Sequence, residues 1–437
     1  MNVAIVGGGA SGCALAVALG GRVAPNVRAT IFNPGDLGPG AAYAPQSASL
    51  LMNGPVRAMS IVAGDKEHLK RWLVDETDDT LICRARYGAY LRATGAAAIA
   101  THGNIAHVRR SIVDIERDGD GFALTDDAGE RHPARSVVLA MGNFPPADWF
   151  LPPALREFAG YAGDPWSMDV SHLDDRDAVL IGSRLTAMDT IALLDERAFR
   201  GNVHIVSRHG MLACLEDPRV EGADPNALDL DTSSPYTLVR SMRRAARAYD
   251  GDWRAVVESI RSRIPAIWHG WSLRERRRFL RHAQSAWAVH RYRVPAATFA
   301  AFARLRDEGR IFVHRGRILD AQANGQTVRV RVGGARIPVD IEAAYVINCT
   351  GPNEDIAKNR DPLVRNLLRR GLIRPGALRL GIDADETLRV VDGNAKAIPN
   401  LFVMGPLVRG LWYETTAIPE IVKHAASLTD SLLDSFA

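Results

Sequence analysis

Residues 2–19 read NVAIVGGGASGCALAVAL, and this stretch decides the fold. Asn2-Val3-Ala4-Ile5-Val6 has the composition of a buried strand. Gly7-Gly8-Gly9-Ala10-Ser11-Gly12 follows at once, and Cys13 to Leu19 is an apolar helical run. The order is strand, Gly-x-Gly-x-x-Gly, helix. The first glycine permits a tight turn, the second lets backbone approach a pyrophosphate, and the third lets helix and strand pack closely. The helix N-terminus adds N–H donors and a positive dipole end. Gly7, Gly9, Ser11 and Gly12 are therefore expected to hold a dinucleotide. No leader peptide is expected ahead of a motif that begins at residue 7.

Composition sets the outer bounds. A chain of 437 residues exceeds one ordinary core, so two or three domains are expected. A hydrophobic share of 47% with 24% charged residues is that of a soluble globular protein. No apolar run approaches the roughly 18 residues that cross a bilayer. A net charge of +4 does not by itself mark a nucleic-acid partner. Cys13, Cys83, Cys214 and Cys349 lie far apart with no Cys-x-x-Cys, so neither a redox disulfide, a zinc ribbon nor any other metal site is expected. A reduced, cytoplasmic location fits that usage.

Arg28-Ala29-Thr30-Ile31-Phe32 reads as the second strand. It ends at Asn33, where an acidic residue usually holds the adenosine ribose. Asn33 is either an uncharged ribose ligand or a strand-end turn former. Residues 35–60 are rich in Gly and Pro without periodicity, the pattern of a functional loop rather than a linker. Residues 66–100 read as helical. Ile112–Ile115 and Phe122–Leu124 read as a β meander leading to the buried strand Val137–Ala140 and the turn Met141-Gly142-Asn143. The pattern returns about 200 residues later: Ile311–His314 and Val328–Val332 read as a meander leading into Tyr345-Val346-Ile347-Asn348-Cys349-Thr350-Gly351-Pro352. Two such deliveries in one chain imply two nucleotide-binding units.

The second unit opens at Ala178-Val179-Leu180-Ile181, with the turn Gly182-Ser183-Arg184-Leu185-Thr186-Ala187. Arg184 stands where the central glycine belongs and is expected to hinder backbone approach to a pyrophosphate. The next strand, Val203–Val206, ends in Ser207-Arg208-His209; Ser207 and Arg208 suit the 2′-phosphate of NADPH, or form a plain solvated strand end. Residues 235–305 look helical, with fourteen Arg and four acids between Arg240 and Arg293 and four interleaved Trp. Such a segment suits either RNA or a basic face near an anionic cofactor or substrate; the spread of the arginines over several helices, with no RNA-binding motif, favours the latter. His290, Arg291 and Arg293 are candidates to hold an anionic substrate, or else to form structural ion pairs. At the C-terminus a strand ends in Gly405-Pro406. A helix is expected from a Thr cap, its N–H groups facing the pyrimidine edge of a flavin.

Six motifs together resemble the FAD/NAD(P)-binding flavoproteins of the two-dinucleotide-binding fold: GGGASG (7–12), GPGAAY (38–43), LLMNGPVRAMS (50–60), AMGNFPP (140–146), NCTGP (348–352) and GPLVRGLWYETTAIPE (405–420). The chain is most similar to a bacterial group that includes urate-hydroxylase-like proteins, with N-hydroxylating and Baeyer–Villiger monooxygenases as distant relatives. The resemblance implies FAD held by Gly7, Gly9, Ser11, Gly12, Asn33, Tyr43, Met52, Asn53, Gly142, Gly351, Gly405, Pro406, Thr416 and Ala417, and NADPH (or NADH) held by Gly182, Ser207 and Arg208. Asn33, Met141 and Arg184 depart from the group's pattern.

The fold expected is α/β: two Rossmann-like domains, the FAD domain discontinuous and the NAD(P) domain inserted, with an added helical segment. The expected bounds are 1–165 (FAD, first part), 166–234 (NAD(P)-like, first part), 235–308 (helical), 309–345 (NAD(P)-like, second part) and 346–437 (FAD, C-terminal part). The leading functional expectation is an NAD(P)H-dependent flavin monooxygenase that hydroxylates a small molecule, anionic or neutral, with O2 through a peroxyflavin. Asn53, Arg57, Asn143 and Arg291 are its candidate catalytic residues. Arg409 and Trp412 are candidates to line the ring, with core packing the alternative for Trp412. Two rivals remain: an FAD-dependent oxidase or dehydrogenase, which Arg184 favours, and a flavin-binding protein without turnover. Neither a nucleic-acid nor a membrane partner is expected, and the oligomeric state is not legible.

Overall fold

The structure is a computed structural model that describes residues 2–434 apart from 21, 23–26, 45–46, 169–172, 217–227, 249–252 and 335–336. Pro45 and Gln46 of the expected 35–60 loop, and parts of the 166–234 and 235–308 segments, lie outside the described residues.

The chain begins as its glycines dictate. Strand β1 (Asn2–Val6) runs into helix α1 (Ala10–Gly20) and then β2 (Arg28–Phe32). Helices α2 (Gly40–Tyr43), α3 (His68–Leu73) and α4 (Arg84–Thr101) precede β3 (Ile105–Val108). The meander β4 (Ile112–Asp118), β5 (Gly121–Asp126) and β6 (Arg131–Ala134) leads to β7 (Ser136–Leu139). The expected helix over 66–100 is thus two helices, parted by a non-helical stretch over 74–83. Val74 there takes φ +66, which stops α3.

The second unit holds α5 (Pro153–Arg156), β8 (Tyr161–Ala162), β9 (Ala178–Ile181), α6 (Leu185–Glu196) and β10 (Val203–Ser207). Six helices follow: α7 (Pro235–Ala248), α8 (Trp253–Ser259), α9 (Ile264–Gly270), α10 (Leu273–His282), α11 (Gln284–Arg291) and α12 (Ala296–Asp307). Then come β11 (Ile311–Arg315), a meander of β12 (Arg317–Asn324), β13 (Thr327–Gly333) and β14 (Val339–Ala343), and β15 (Tyr345–Asn348). The chain returns to the first unit with α13 (Pro362–Arg369), β16 (Arg389–Val391), β17 (Ala397–Val403), α14 (Arg409–Trp412) and α15 (Ile418–Asp434).

Among the described residues the first sheet has the order β16-β17-β7-β1-β2-β3 and the second β11-β10-β9-β15-β8. All pairings are parallel except β16 with β17. Parallel sheets are covered on both faces, which is why β7 and β9 are buried at every position. Helix α1 is apolar at most positions because it is enclosed by its sheet and by α4 and α15.

Three expectations are corrected. Ile311–His314 is not part of a meander: β11 pairs in parallel with β10 from Val203↔Ile311 onward. The parallel pair requires a crossover, and α12 supplies it by packing on α6, so the added helical layer is α7–α11 rather than all of 235–308. β8 and β15 both belong to the second sheet, so its unit begins before residue 166 and extends past 345.

The two units meet at a buried carboxyl and an arginine. Arg84, the first residue of α4, pairs with Asp189 of α6 at 2.9 Å. Burial pushes the Asp189 carboxyl up to about 6, against the pull of Arg84. With the folded pKa above the unfolded value, this group's stabilising contribution is full below about pH 4 and is lost as pH rises through about 6. Asp189→Asn removes that dependence. The stability of the variant relative to the parent is expected to improve by about 1–3 kcal/mol between pH 4.5 and 7.5. Thermal unfolding of both proteins across that range checks it; a pH-independent difference contradicts it.

Candidate functional site

The first site forms where β1 meets α1. Gly7 has φ +105, and a Cβ there would stand 2.5 Å from the Ala140 carbonyl oxygen, so glycine alone lets the turn pass this close to the end of β7. A Cβ on Gly12 would overlap the Gly7 carbonyl. Gly9 differs: its Cβ would meet only the Cα of Gly40, at 3.5 Å, an ordinary contact. The protein's own packing does not need glycine there, but close approach of a ligand does. Cys13 N donates to Gly9 O at 2.9 Å as an early helical bond, and the N–H groups ahead of it in the first turn have no intrahelical acceptor.

The surrounding loops close around this turn. Asn33 accepts from the Gly8 N–H at 3.1 Å and donates to the Gly35 and Asp36 carbonyls at 2.9 and 3.2 Å. Both ends of its amide are therefore engaged, as in the turn-forming alternative. Gly38 N donates to Gly8 O at 2.7 Å. Tyr43 lies edge-on to Tyr87 with ring centroids 4.9 Å apart, and buried Met52 donates its N–H to Ile82 O at 2.9 Å. Gly142, at φ +71, follows Met141, whose Cα faces Gly7. Gly405, at φ +74, leads into Pro406, and a Cβ on it would stand 2.5 Å from Ser11 Oγ. Gly351, at φ +87, ends the stretch after β15 with open space where a Cβ would be.

The C-terminal loop carries polar atoms that the protein leaves unsatisfied. Trp412 Nε1 and Thr415 Oγ1 are buried without a hydrogen-bond partner. Such atoms are costly unless a ligand meets them. Helix α15 begins at Ile418, and the Ala417 carbonyl accepts from Glu420 and Ile421 at 3.1 and 3.0 Å. The expected Thr cap is corrected: Ala417 precedes the helix and Thr416 is exposed, so no hydroxyl at Thr416 caps it. Together with the Gly9 opening, this set fits a flavin dinucleotide.

Arg291 does not face a substrate. It donates to both carboxylate oxygens of Glu414 at 3.0 and 2.8 Å, and both residues are buried, at 9% and 7% exposure. The ion-pair alternative therefore replaces the anion-holding expectation. Arg293, equally buried, pairs with Glu216 at 2.6 Å and with Glu258. His290 is bonded to the Ala286 carbonyl at 2.7 Å and sits edge-on to Trp253. Trp268 and Trp271 form the core of the added helices with Phe279 and Tyr413, rather than an exposed stacking surface. Arg409 pairs with Glu354 and lies over the Tyr413 ring at 5.1 Å. Trp412 meets His269 at 4.5 Å. Arg57 is 53% exposed in its side chain and pairs with Asp79. Asn53 and Asn143 are exposed.

The second site is a crevice of about 650 Å3 at the ends of β9 and β10. Gly182, Ser207 and Arg208 line it. Gly182 has φ +117 and stands against the Cys349 carbonyl. Arg184 and Arg317 add two guanidiniums to the wall, and Trp149 and Phe150 form an aromatic lip, half-exposed at 50% and 47%. Among the described residues no Asp or Glu lines the crevice. Sequence reading missed Arg317, Trp149 and Phe150. The aromatic pair just after Pro145-Pro146 was a readable signal, whereas Arg317 joins the wall only through the pairing of β11 with β10.

Residues 4–144 match a family model described as FAD-NAD(P)-binding. No curated protein matches the chain. Among solved structures, the chain is similar over 100% of its length to 99% of the ornithine hydroxylase of Pseudomonas aeruginosa, with a TM-score of 0.66 and 16% identity. It is similar to the FAD-bound cadaverine monooxygenase of Erwinia amylovora over 99% of this chain and 94% of that one (TM-score 0.68, 13% identity). The ornithine N-hydroxylase of Kutzneria sp. 744, with reduced FAD, NADP+ and L-ornithine, covers 100% and 99% (TM-score 0.64, 14% identity). A thioredoxin reductase of T. acidophilum follows at a TM-score of 0.55 and 13% identity over 100% and 98%. Two Rossmann-like units, one inserted in the other and each with a glycine turn at its first strand, are the fold of the two-dinucleotide-binding flavoproteins, and this chain has it.

Proposed function

We propose that the protein is an FAD-dependent oxidoreductase that uses NADPH and O2 to hydroxylate a small molecule. One observation carries the reading: the crevice at β9 and β10, where Ser207 and three guanidiniums face a cavity large enough for a nucleotide and no acid lines it among the described residues. A nicotinamide dinucleotide phosphate brings several negative charges, and such a wall suits it. The hydroxylases and monooxygenases among the fold's relatives support the direction, and the N-hydroxylating chemistry in their names makes amines first candidates for the substrate.

FAD, when bound, supplies acceptance of a hydride and reaction with O2. The chain's own residues position and shield it. Gly9 and the first turn of α1 would hold its pyrophosphate, and the start of α15 with Thr415 would hold its ring. Arg291, through Glu414, fixes the loop that carries Thr415; it is a positioning residue. Asn53 and Asn143, on exposed loops, are free to donate hydrogen bonds at the reacting face. Trp149 and Phe150 offer a stacking surface to a base. With four free cysteines and no described helix long and apolar enough to cross a membrane, we place the protein in the cytoplasm.

The oxidase alternative rested on Arg184 closing the second turn. Arg184 has φ −104 and ψ −157 and lines the crevice without filling it, which weakens that alternative. Oxygen balance is the test. With a panel of small amines and carboxylates, NADPH oxidation is expected to match O2 uptake, and one atom of labelled O2 is expected in the product. Substrate oxidation that proceeds without NADPH, with all O2 recovered as peroxide, contradicts it.

A further inference from the structure

The crevice departs from its glycine motif at Arg184, and the surroundings of that residue are electrostatically unbalanced. Arg184 occupies the N-cap of α6, a helix of 12 residues, without a side-chain capping bond. Its φ of −104 is one that any residue adopts, so the turn does not require glycine there. The side chain lines the crevice together with Arg208 and Arg317. None of the three has a carboxylate ion-pair partner among the described residues, in contrast to Arg84, Arg291, Arg293 and Arg409. Glu354 lies within electrostatic reach of Arg184, but it is engaged by Arg409. Partial burial, then Arg409 and Arg208, push the Arg184 pKa down although the residue stays exposed on the crevice wall, so its cation sits among like charges. An anion in the crevice relieves that repulsion.

We propose that Arg184 is a phosphate-binding residue of the nicotinamide-nucleotide site, and that its guanidinium takes the pyrophosphate charge that the motif otherwise meets by close backbone approach at glycine. This rests on the reading of the crevice as a nucleotide site. The proposal separates two phosphate positions. Ser207 and Arg208, after the second strand, stand where a 2′-phosphate lies, whereas Arg184, at the turn and the α6 N-terminus, stands where the pyrophosphate shared by NADP+ and NAD+ lies.

The experiment is equilibrium binding of NADP+ and of NAD+ to the oxidised, FAD-loaded protein by calorimetry. Parent, Arg184→Gly, Arg184→Lys and Arg208→Ala are compared at two salt concentrations. Arg184→Gly is expected to weaken both nucleotides by about 10- to 100-fold and to lower the salt dependence of both. Arg184→Lys is expected to recover part of the affinity, because it keeps the charge without the planar fork. Arg208→Ala is expected to weaken NADP+ alone. FAD content and circular dichroism establish that each variant is folded, and Arg184→Lys keeps the test open should the glycine variant be unstable. Equal affinities in parent and Arg184→Gly, tighter binding by Arg184→Gly, or a loss confined to NADP+ would each overturn the proposal while leaving the nucleotide site standing. A parent protein that binds neither nucleotide overturns the nucleotide reading itself, and the assignment of Arg184 with it.

Discussion

Gly12→Ala is expected to abolish the folded first unit, whereas Gly9→Ala, three residues earlier in the same motif, is expected to leave the fold intact and lose the flavin. The two glycines differ in what a methyl group would meet. At Gly12 it would overlap the Gly7 carbonyl, a backbone atom fixed between β1 and α1 in the main core. Neither element can shift without disturbing residues such as Ile5 and Leu15, both 0% exposed. Overpacking against backbone in such a core costs about 3 kcal/mol or more, a large share of the stability of an ordinary domain. At Gly9 the methyl group meets Gly40 Cα at 3.5 Å and displaces no protein atom. What it occupies is the approach to the first turn of α1. The expected result is insoluble or unfolded Gly12→Ala protein, and soluble Gly9→Ala protein with near-parental thermal unfolding and little bound FAD. Expression, thermal unfolding and the flavin content of purified protein check both. A Gly9→Ala protein that retains stoichiometric FAD would show that the pyrophosphate does not approach there.

Arg291→Ala is the second large effect. The Arg291–Glu414 pair is bidentate and almost fully enclosed, so removing one partner leaves a buried charge uncompensated. That costs about 3–5 kcal/mol, whereas replacing both partners with apolar residues of similar volume is close to neutral. The expected result is a strongly destabilised Arg291→Ala protein and substantial recovery in Arg291→Met/Glu414→Leu, read by chemical denaturation. The pair also ties α11 to the loop between Trp412 and Thr415. Even the recovered double variant is therefore expected to bind FAD more weakly than the parent, because the loop keeps its burial but loses its fixed register. If Arg291 instead held a substrate anion, Arg291→Ala would leave stability untouched and raise only KM.

These two residues also mark what the sequence could and could not disclose. The strand–turn–helix over residues 2–19 is legible because every constraint on it is local: the apolar strand, the glycine spacing and the apolar helix all lie within one short window. The second unit's turn at Gly182 was legible for the same reason. Arg291 was not, because its partner lies 123 residues away and becomes a neighbour only once α11 packs on the C-terminal loop. Strand β11 was misassigned to a meander since an apolar run carries no mark of the sheet it joins. Its partner is β10, across the whole helical layer. Helix α12 was grouped with that layer because amphipathic helices of an insertion and of a crossover have the same period. The aromatic pair Trp149 and Phe150 stands out in the sequence, but its place on the crevice lip does not, for a related reason. Aromatics after a double proline read as loop packing until β8 and β15 draw that segment to the second sheet.

In the proposed reaction the two sites, cradle and crevice, form one electron path from NADPH to FAD. Anaerobic rapid mixing of the FAD-loaded protein with NADPH, and separately with NADH, tests it most directly, run with and without the amine panel. The account predicts that the flavin absorbance bleaches, faster with NADPH than with NADH, and that Arg208→Ala narrows the difference. A flavin that stays oxidised with both nucleotides under every condition, yet bleaches on addition of a substrate alone, would contradict it.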